Sequence, residues 1–126
     1  MAASTGGVVG TIGLFRMLGD FREALHLGWF AVAPRARRRG IGSLLLRHAI
    51  AEAAASGVAV LRLETSDAGD ERLAQPLYDA FGFGVTRTRQ ESWGGARWTT
   101  IWREKRLRGD AAPEAERRGT GPIPGR

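Results

Sequence analysis

The spacing of apolar residues changes period several times along the chain, and each change predicts an element. Val8 to Phe15 is β-branched and punctuated by glycine, and Glu23 to Val32 is aromatic and aliphatic; Leu18-Gly19-Asp20 lies between them as a turn signal. The pair predicts a β-hairpin. Pro34 ends the second strand. From Ser43 to Ser56 the period becomes helical, with Leu44, Leu45, Ile50 and several alanines on one stripe, until Gly57 stops it. Val58 to Thr65 reads as a short buried strand. A polar loop over Ser66 to Arg72 leads to a short helix over Ala74 to Phe81, closed by Gly82, with Pro76 tolerable only in its first turn. Phe83 to Trp93 and Ala96 to Leu107 are strand-like runs separated by Gly94-Gly95, a strong hairpin signal. The order β-β-α-β-α-β-β predicts an α+β fold, a mixed and mainly antiparallel sheet with helices packed on it and one parallel step. No internal repeat is visible.

With 126 residues the chain suits one domain with a single core. Residues 1–108 are expected to fold. Residues 109–126 hold one large aliphatic residue and three prolines, so a disordered tail is expected there. The formal net charge is +6, almost all of it arginine, with Lys105 the only lysine. That balance favours anionic partners without choosing among nucleotides, nucleic acid and acidic surfaces. The absence of cysteine excludes disulfides and thiolate catalysis and fits a reducing compartment, so a cytoplasmic location is expected. The first residues lack the pattern of a signal peptide, and the most apolar run, Leu44 to Ala55, is interrupted by Arg47, His48 and Glu52, so no membrane association is expected.

The segment Arg37-Arg38-Arg39-Gly40-Ile41-Gly42-Ser43 sits where a strand hands over to a helix. Gly40 and Gly42 permit a tight turn and close approach of a ligand. Ser43 is a favourable residue to cap the helix. The helix start then aims unpaired N–H groups and the positive dipole end at whatever occupies the turn. Three arginines add attraction for phosphate. A pyrophosphate suits such a place, although glycine turns before helices and exposed arginine runs are both common.

Three landmarks in this order resemble the GNAT N-acetyltransferase superfamily. Arg37-Arg38-Arg39-Gly40-Ile41-Gly42 matches the family's pyrophosphate signature of Gln or Arg, two residues, Gly, one residue, then Gly or Ala. Phe30-Ala31-Val32-Ala33-Pro34 resembles the end of the preceding strand, and Leu77-Tyr78 followed by Gly82-Phe83 resembles the family's later helix motif. The resemblance covers roughly residues 8 to 107. It implies acetyl-CoA as acetyl donor and an amine, on a small molecule or a peptide, as acceptor. It further implies that backbone groups of Arg38, Arg39, Gly40, Ile41, Gly42 and Ser43, introduced by Arg37, hold the pyrophosphate, that Phe30 and Val32 pair with the pantetheine arm, and that the Phe30 N–H faces the thioester carbonyl. Tyr78 matches the residue that protonates the departing thiolate.

An amine needs a proton acceptor before it can attack, and His26 is the candidate, because period 2 places it on the side of Gly28, Phe30 and Val32 and an imidazole can take a proton at physiological pH. In members of the family it resembles, a glutamate or a histidine stands at this position. Glu23 is the second choice. His48 reads as a surface or packing residue. Glu64, Asp67, Asp70 and Glu71 do not form a convincing metal set, and no metal is expected. Trp93, Trp98 and Trp102 alternate with polar residues across the last hairpin, which reads as sheet packing rather than a base-stacking platform and argues against nucleic acid; the resemblance implies that this hairpin borders the acceptor, with one of the three touching it. The family's usual first strand and helices are not matched ahead of Val8, Glu71 stands where Asn is common, and Pro76 is unusual. A homodimer and a non-catalytic acyl-CoA-binding module both stay open as expectations.

Overall fold

The computed structural model describes residues 2–4, 7–17, 19, 23–37 and 39–107. Arg38 and the tail expected at 109–126 lie outside them. The strands are β1 (Ala2–Ser4), β2 (Gly7–Phe15), β3 (Ala24–Val32), β4 (Val60–Ser66), β5 (Gly84–Trp93) and β6 (Ala96–Arg106), and the helices are α1 (Ile41–Ala55) and α2 (Gln75–Ala80). They form one sheet in the order β1-β2-β3-β4-β6-β5, antiparallel throughout except where β3 meets β4. The β1 strand is an addition to the five strands that the apolar pattern predicts; three residues are too few to generate a period of their own.

Helix α1 is the crossover that makes the parallel step possible. Its buried residues Leu45, Leu46, Ala49 and Ala53 recur at helical spacing and seat it on the sheet. Leu25 and Leu27 of β3, Leu61 and Leu63 of β4, and Tyr78 of α2 with Phe83 just after it complete the core on that same face. Alternation along β3 and β4 therefore sends one set of side chains into the core and the other to a face that no helix of the described residues covers.

Two sequence expectations change. Ser43 does not cap α1: the N-cap is Gly40 at φ +78°, no side chain bonds to the helix start, and Ser43 lies inside the first turn. A left-handed residue closes the turn three residues earlier than a cap at Ser43 would, and it leaves the first amides open. His26 does not share a face with Phe30 and Val32. Thr11 pairs with Ala31 but Gly13 pairs with Gly28, so Trp29 and Phe30 together oppose Ile12. This β-bulge, with Trp29 at φ +52°, shifts the alternation by one residue between His26 and Phe30. Pro76 falls in the first turn of α2, as its missing N–H requires.

Candidate active site

The strands β3 and β4 pair from Ala24 and Val60 as far as Leu27 and Leu63, and then separate. Beyond that point β3 stays with β2 and β4 stays with β6, so the sheet splits between its two central strands. A cleft of about 620 Å³ opens at the split on the helix-covered face, lined by Phe30, Val32, Arg37, Gly42, Leu77 and Tyr78 among others. A second cleft, of about 480 Å³, opens on the other face and includes Phe15, His26, Arg62, Trp102 and Glu104. Leu27, Gly28, Trp29, Leu63 and Glu64 border both. A group held in the first cleft is thus separated from the second only by the gap between the strands.

The backbone at the split is available for a ligand. The Trp29 carbonyl accepts a hydrogen bond from Thr11 Oγ1 of β2 at 2.7 Å. No peptide is cis, so the N–H of Phe30 points the opposite way, away from β2 and toward the gap. Val32 has the same orientation by period 2, and its carbonyl accepts a bond from Arg37 Nε at 3.1 Å. Arg37 also pairs with Asp70 at 3.2 Å. Its guanidinium is therefore a brace between the end of β3 and the far wall of the cleft as well as a nearby positive charge.

At the cleft end of α1 the first intrahelical bond is from the Leu44 N–H to the Gly40 carbonyl, at 3.0 Å. The N–H groups of Ile41, Gly42 and Ser43 are left without helical partners. Gly42 lines the cleft, and a Cβ there would lie 3.4 Å from Leu77 and 3.5 Å from Phe30, so little space separates the helix start from the strand. Arg39 is exposed just before this turn.

Tyr78 is 6% exposed and packs between Phe30 and Phe83, with ring centroids 6.1 and 6.0 Å away. Its hydroxyl makes no hydrogen bond to a described residue. Burial pushes its pKa up to about 12, the Glu71 carboxylate adds to the rise, and Arg103 opposes it. The hydroxyl is a retained proton at neutral pH. Arg103 is the residue that sequence reasoning missed. Although 5% exposed, it bonds Gln75 Oε1 at 3.0 Å, Asp79 Oδ1 at 2.7 Å and the Phe83 carbonyl at 2.7 Å, with its guanidinium carbon 5.8 Å from the Tyr78 ring centroid. Gln75 extends the network to Thr65 Oγ1 and the Ser66 carbonyl, both at 3.0 Å. The α2 helix that carries Tyr78 is thereby tied to β4 and β6. Glu71 accepts a bond from the Ser66 hydroxyl.

His26 stacks on Phe15, with ring centroids 5.5 Å apart, on the open face. Glu64, read from sequence as one of several solvated carboxylates, stands exposed on β4 at the border of both clefts. Its position opposite Trp102 across the β4–β6 pair is a tertiary fact without a local signal.

Residues 1–85 match the model of the acetyltransferase (GNAT) domain. The chain belongs to the GNAT family. The fold agrees with solved GNAT structures. A GNAT-family protein from Desulfovibrio desulfuricans superposes with a TM-score of 0.72 at 19% identity, covering 84% of this chain and 65% of that one. A GNAT acetyltransferase from Elizabethkingia anophelis with acetyl-CoA bound gives 0.66 at 22% identity, covering 82% and 72%. The ribosomal-protein-S18-alanine N-acetyltransferase of Escherichia coli gives 0.68 at 26% identity, covering 90% and 69%. The chain thus spans 65% of the length of the first of these structures. Comparison with curated protein sequences returned no match. No helix among the described residues is long and apolar enough to cross a membrane.

Proposed function

We propose that this GNAT domain is an N-acetyltransferase that binds acetyl-CoA in the helix-side cleft and transfers its acetyl group through the split to an amine in the open-face cleft. The carrying observation is the split itself, with backbone N–H groups turned into it and a cleft on either side. The donor fits the residues present. Open amides at Ile41, Gly42 and Ser43, helped by the dipole of α1 and the positive charges of Arg37 and Arg39, suit the pyrophosphate. Phe30 and Val32 offer the pantetheine arm a strand edge.

Bound acetyl-CoA supplies an electrophilic thioester: an amine lone pair forms a C–N bond at its carbonyl carbon, the C–S bond breaks, and CoA leaves as a thiolate that takes up a proton. The Phe30 N–H donates to the carbonyl oxygen as negative charge develops there. The Tyr78 hydroxyl, on the cofactor side and still protonated, provides the proton for sulfur. The acceptor arrives as an ammonium at neutral pH and gives one proton to a base on the open face before attack; the second proton, shed by nitrogen once the C–N bond has formed, balances the one that Tyr78 gives to sulfur and returns Tyr78 to its protonated state. Two side chains border that cleft in suitable places, His26 and Glu64. Glu64 is the stronger candidate, since it alone of the two borders both clefts.

Release of free thiol on a panel of amines tests the reading. Glu64→Gln is expected to lower kcat about a hundredfold, with His26→Gln lowering it less. The reverse order would move the base to His26. Acetyl-CoA binding without turnover on any amine would make the chain an acyl-CoA-binding module instead.

A further inference from the structure

The face of the sheet turned away from the helices holds all four tryptophans of the chain. Trp102 pairs with Arg87 across β5–β6, Trp98 with Glu91 and Trp93 with Ala96, so these three share one face by period 2. Trp29 joins them at the bulge, its ring centroid 5.2 Å from that of Phe15. Around the split, Phe15 and Trp29 form one wall of the acceptor cleft and Trp102 the other, with Glu64 directly across the β4–β6 pair from Trp102.

Charge in this cleft runs against the charge of the whole chain. Arg62 is bound by Glu104 at 2.7 Å and approached by Glu23 at 3.7 Å, so its charge is compensated in place. Arg103 borders the cleft, but its guanidinium is engaged by Asp79 at 2.7 Å and by Gln75. Arg87 and Arg89 lie over Trp102, at 4.4 and 5.5 Å from its centroid, and neither borders the cleft. Glu64 has no ion pair with any described residue. The lining is thus aromatic, with one uncompensated carboxylate at the point where the two clefts meet. The net charge of +6 by itself favours an anionic acceptor; the site favours the opposite.

Resting on the acetyltransferase reading above, we propose that the open-face cleft selects a cationic primary amine carried on an aromatic body and bearing no carboxylate beside the nitrogen, an arylalkylamine rather than an amino acid. The ring lies among Phe15, Trp29 and Trp102, which offer stacking and edge contacts. The ammonium meets Glu64 at the split, next to the position of the thioester. A carboxylate on the carbon bearing the amine would stand against Glu64 and be repelled.

Calorimetric titration of the CoA-saturated chain with 2-phenylethylamine and with phenylalanine tests this without requiring turnover. The amine is expected to bind, and phenylalanine to bind at least about tenfold more weakly. Trp102→Ala is expected to weaken 2-phenylethylamine about tenfold, with Trp102→Phe restoring most of the loss and CoA affinity unchanged in both. Equal or tighter binding of phenylalanine, no binding of the amine by CoA-loaded protein, or an indifferent Trp102→Ala variant would each overturn the acceptor assignment while leaving the cofactor reading intact. Failure of CoA itself to bind would overturn both.

Discussion

Tyr78 carries the acid half of the proposed chemistry because it is buried, lines the helix-side cleft, and bonds no described residue through its hydroxyl. Tyr78→Phe is expected to lower kcat about a hundredfold with acetyl-CoA affinity unchanged, measured by thiol release beside calorimetry. The same burial links Tyr78 to stability. Its folded pKa of about 12 lies above the ordinary 10.0, so its contribution is fully present below pH 10 and is lost as pH rises toward 12. Denaturant unfolding between pH 9 and pH 12, taken in ~1-unit steps, should show the wild type losing about 2 to 3 kcal/mol more than Tyr78→Phe. Equal losses would contradict the burial account. Arg103 holds the helix beneath Tyr78, and Arg103→Met leaves Gln75 and the Phe83 carbonyl without their buried donor. A loss of about 3 kcal/mol in urea unfolding is expected. Tyr78 was legible from sequence because Leu77-Tyr78 precedes Gly82-Phe83 at a recognisable spacing. Arg103 was not: an arginine alternating along a strand in an arginine-rich chain reads as solvated, and only the approach of α2 to β6 makes it interior.

At the scale of elements, the bulge in β3 decides which side chains meet. Leu25 and Leu27 point into the core before it, and Phe30 resumes that face after it, whereas strict alternation would have placed His26 with Phe30. The hairpins, the crossover helix and the helix after the polar loop were all legible as changes of period and as glycine or proline stops. The bulge was not, because a tryptophan at positive φ leaves no compositional trace; a glycine there would have hinted at it. Inserting one residue between Ile12 and Gly13 gives Trp29 a partner of its own, so it is expected to restore pairing without the bulge, turn Phe30 to the open face and abolish acetyl-CoA binding. Trp29→Gly keeps the residue count and suits the backbone, so it is expected to bind acetyl-CoA as the wild type does, both variants being compared by calorimetry. Similar affinities in the two would contradict the role assigned to the bulge. The start of α1 follows the same logic: Gly40, not Ser43, ends the turn, and the helix keeps its first amides open for an anion.

Across the molecule, the sheet separates two tasks. In the proposed reaction its helix-covered face takes the cofactor and its open face takes the acceptor, and among the described residues the two clefts adjoin at the split between β3 and β4. The cofactor half of the proposal rests on a contiguous motif, since the Arg37 to Ser43 turn is local in sequence. The acceptor half is assembled from β2, β3, β4 and β6, residues as distant as Phe15 and Trp102, and no local pattern announces it. The proposed transfer requires that the turn and the first amides of α1 hold the pyrophosphate of acetyl-CoA. Isothermal titration of the full chain with acetyl-CoA, run beside Gly40→Asp, tests it most directly. Saturable binding by the wild type and none by the variant, whose carboxylate would repel the pyrophosphate and whose backbone would be strained at φ +78°, is the predicted result. Equal affinity in the two proteins, or no binding by the wild type, would contradict it.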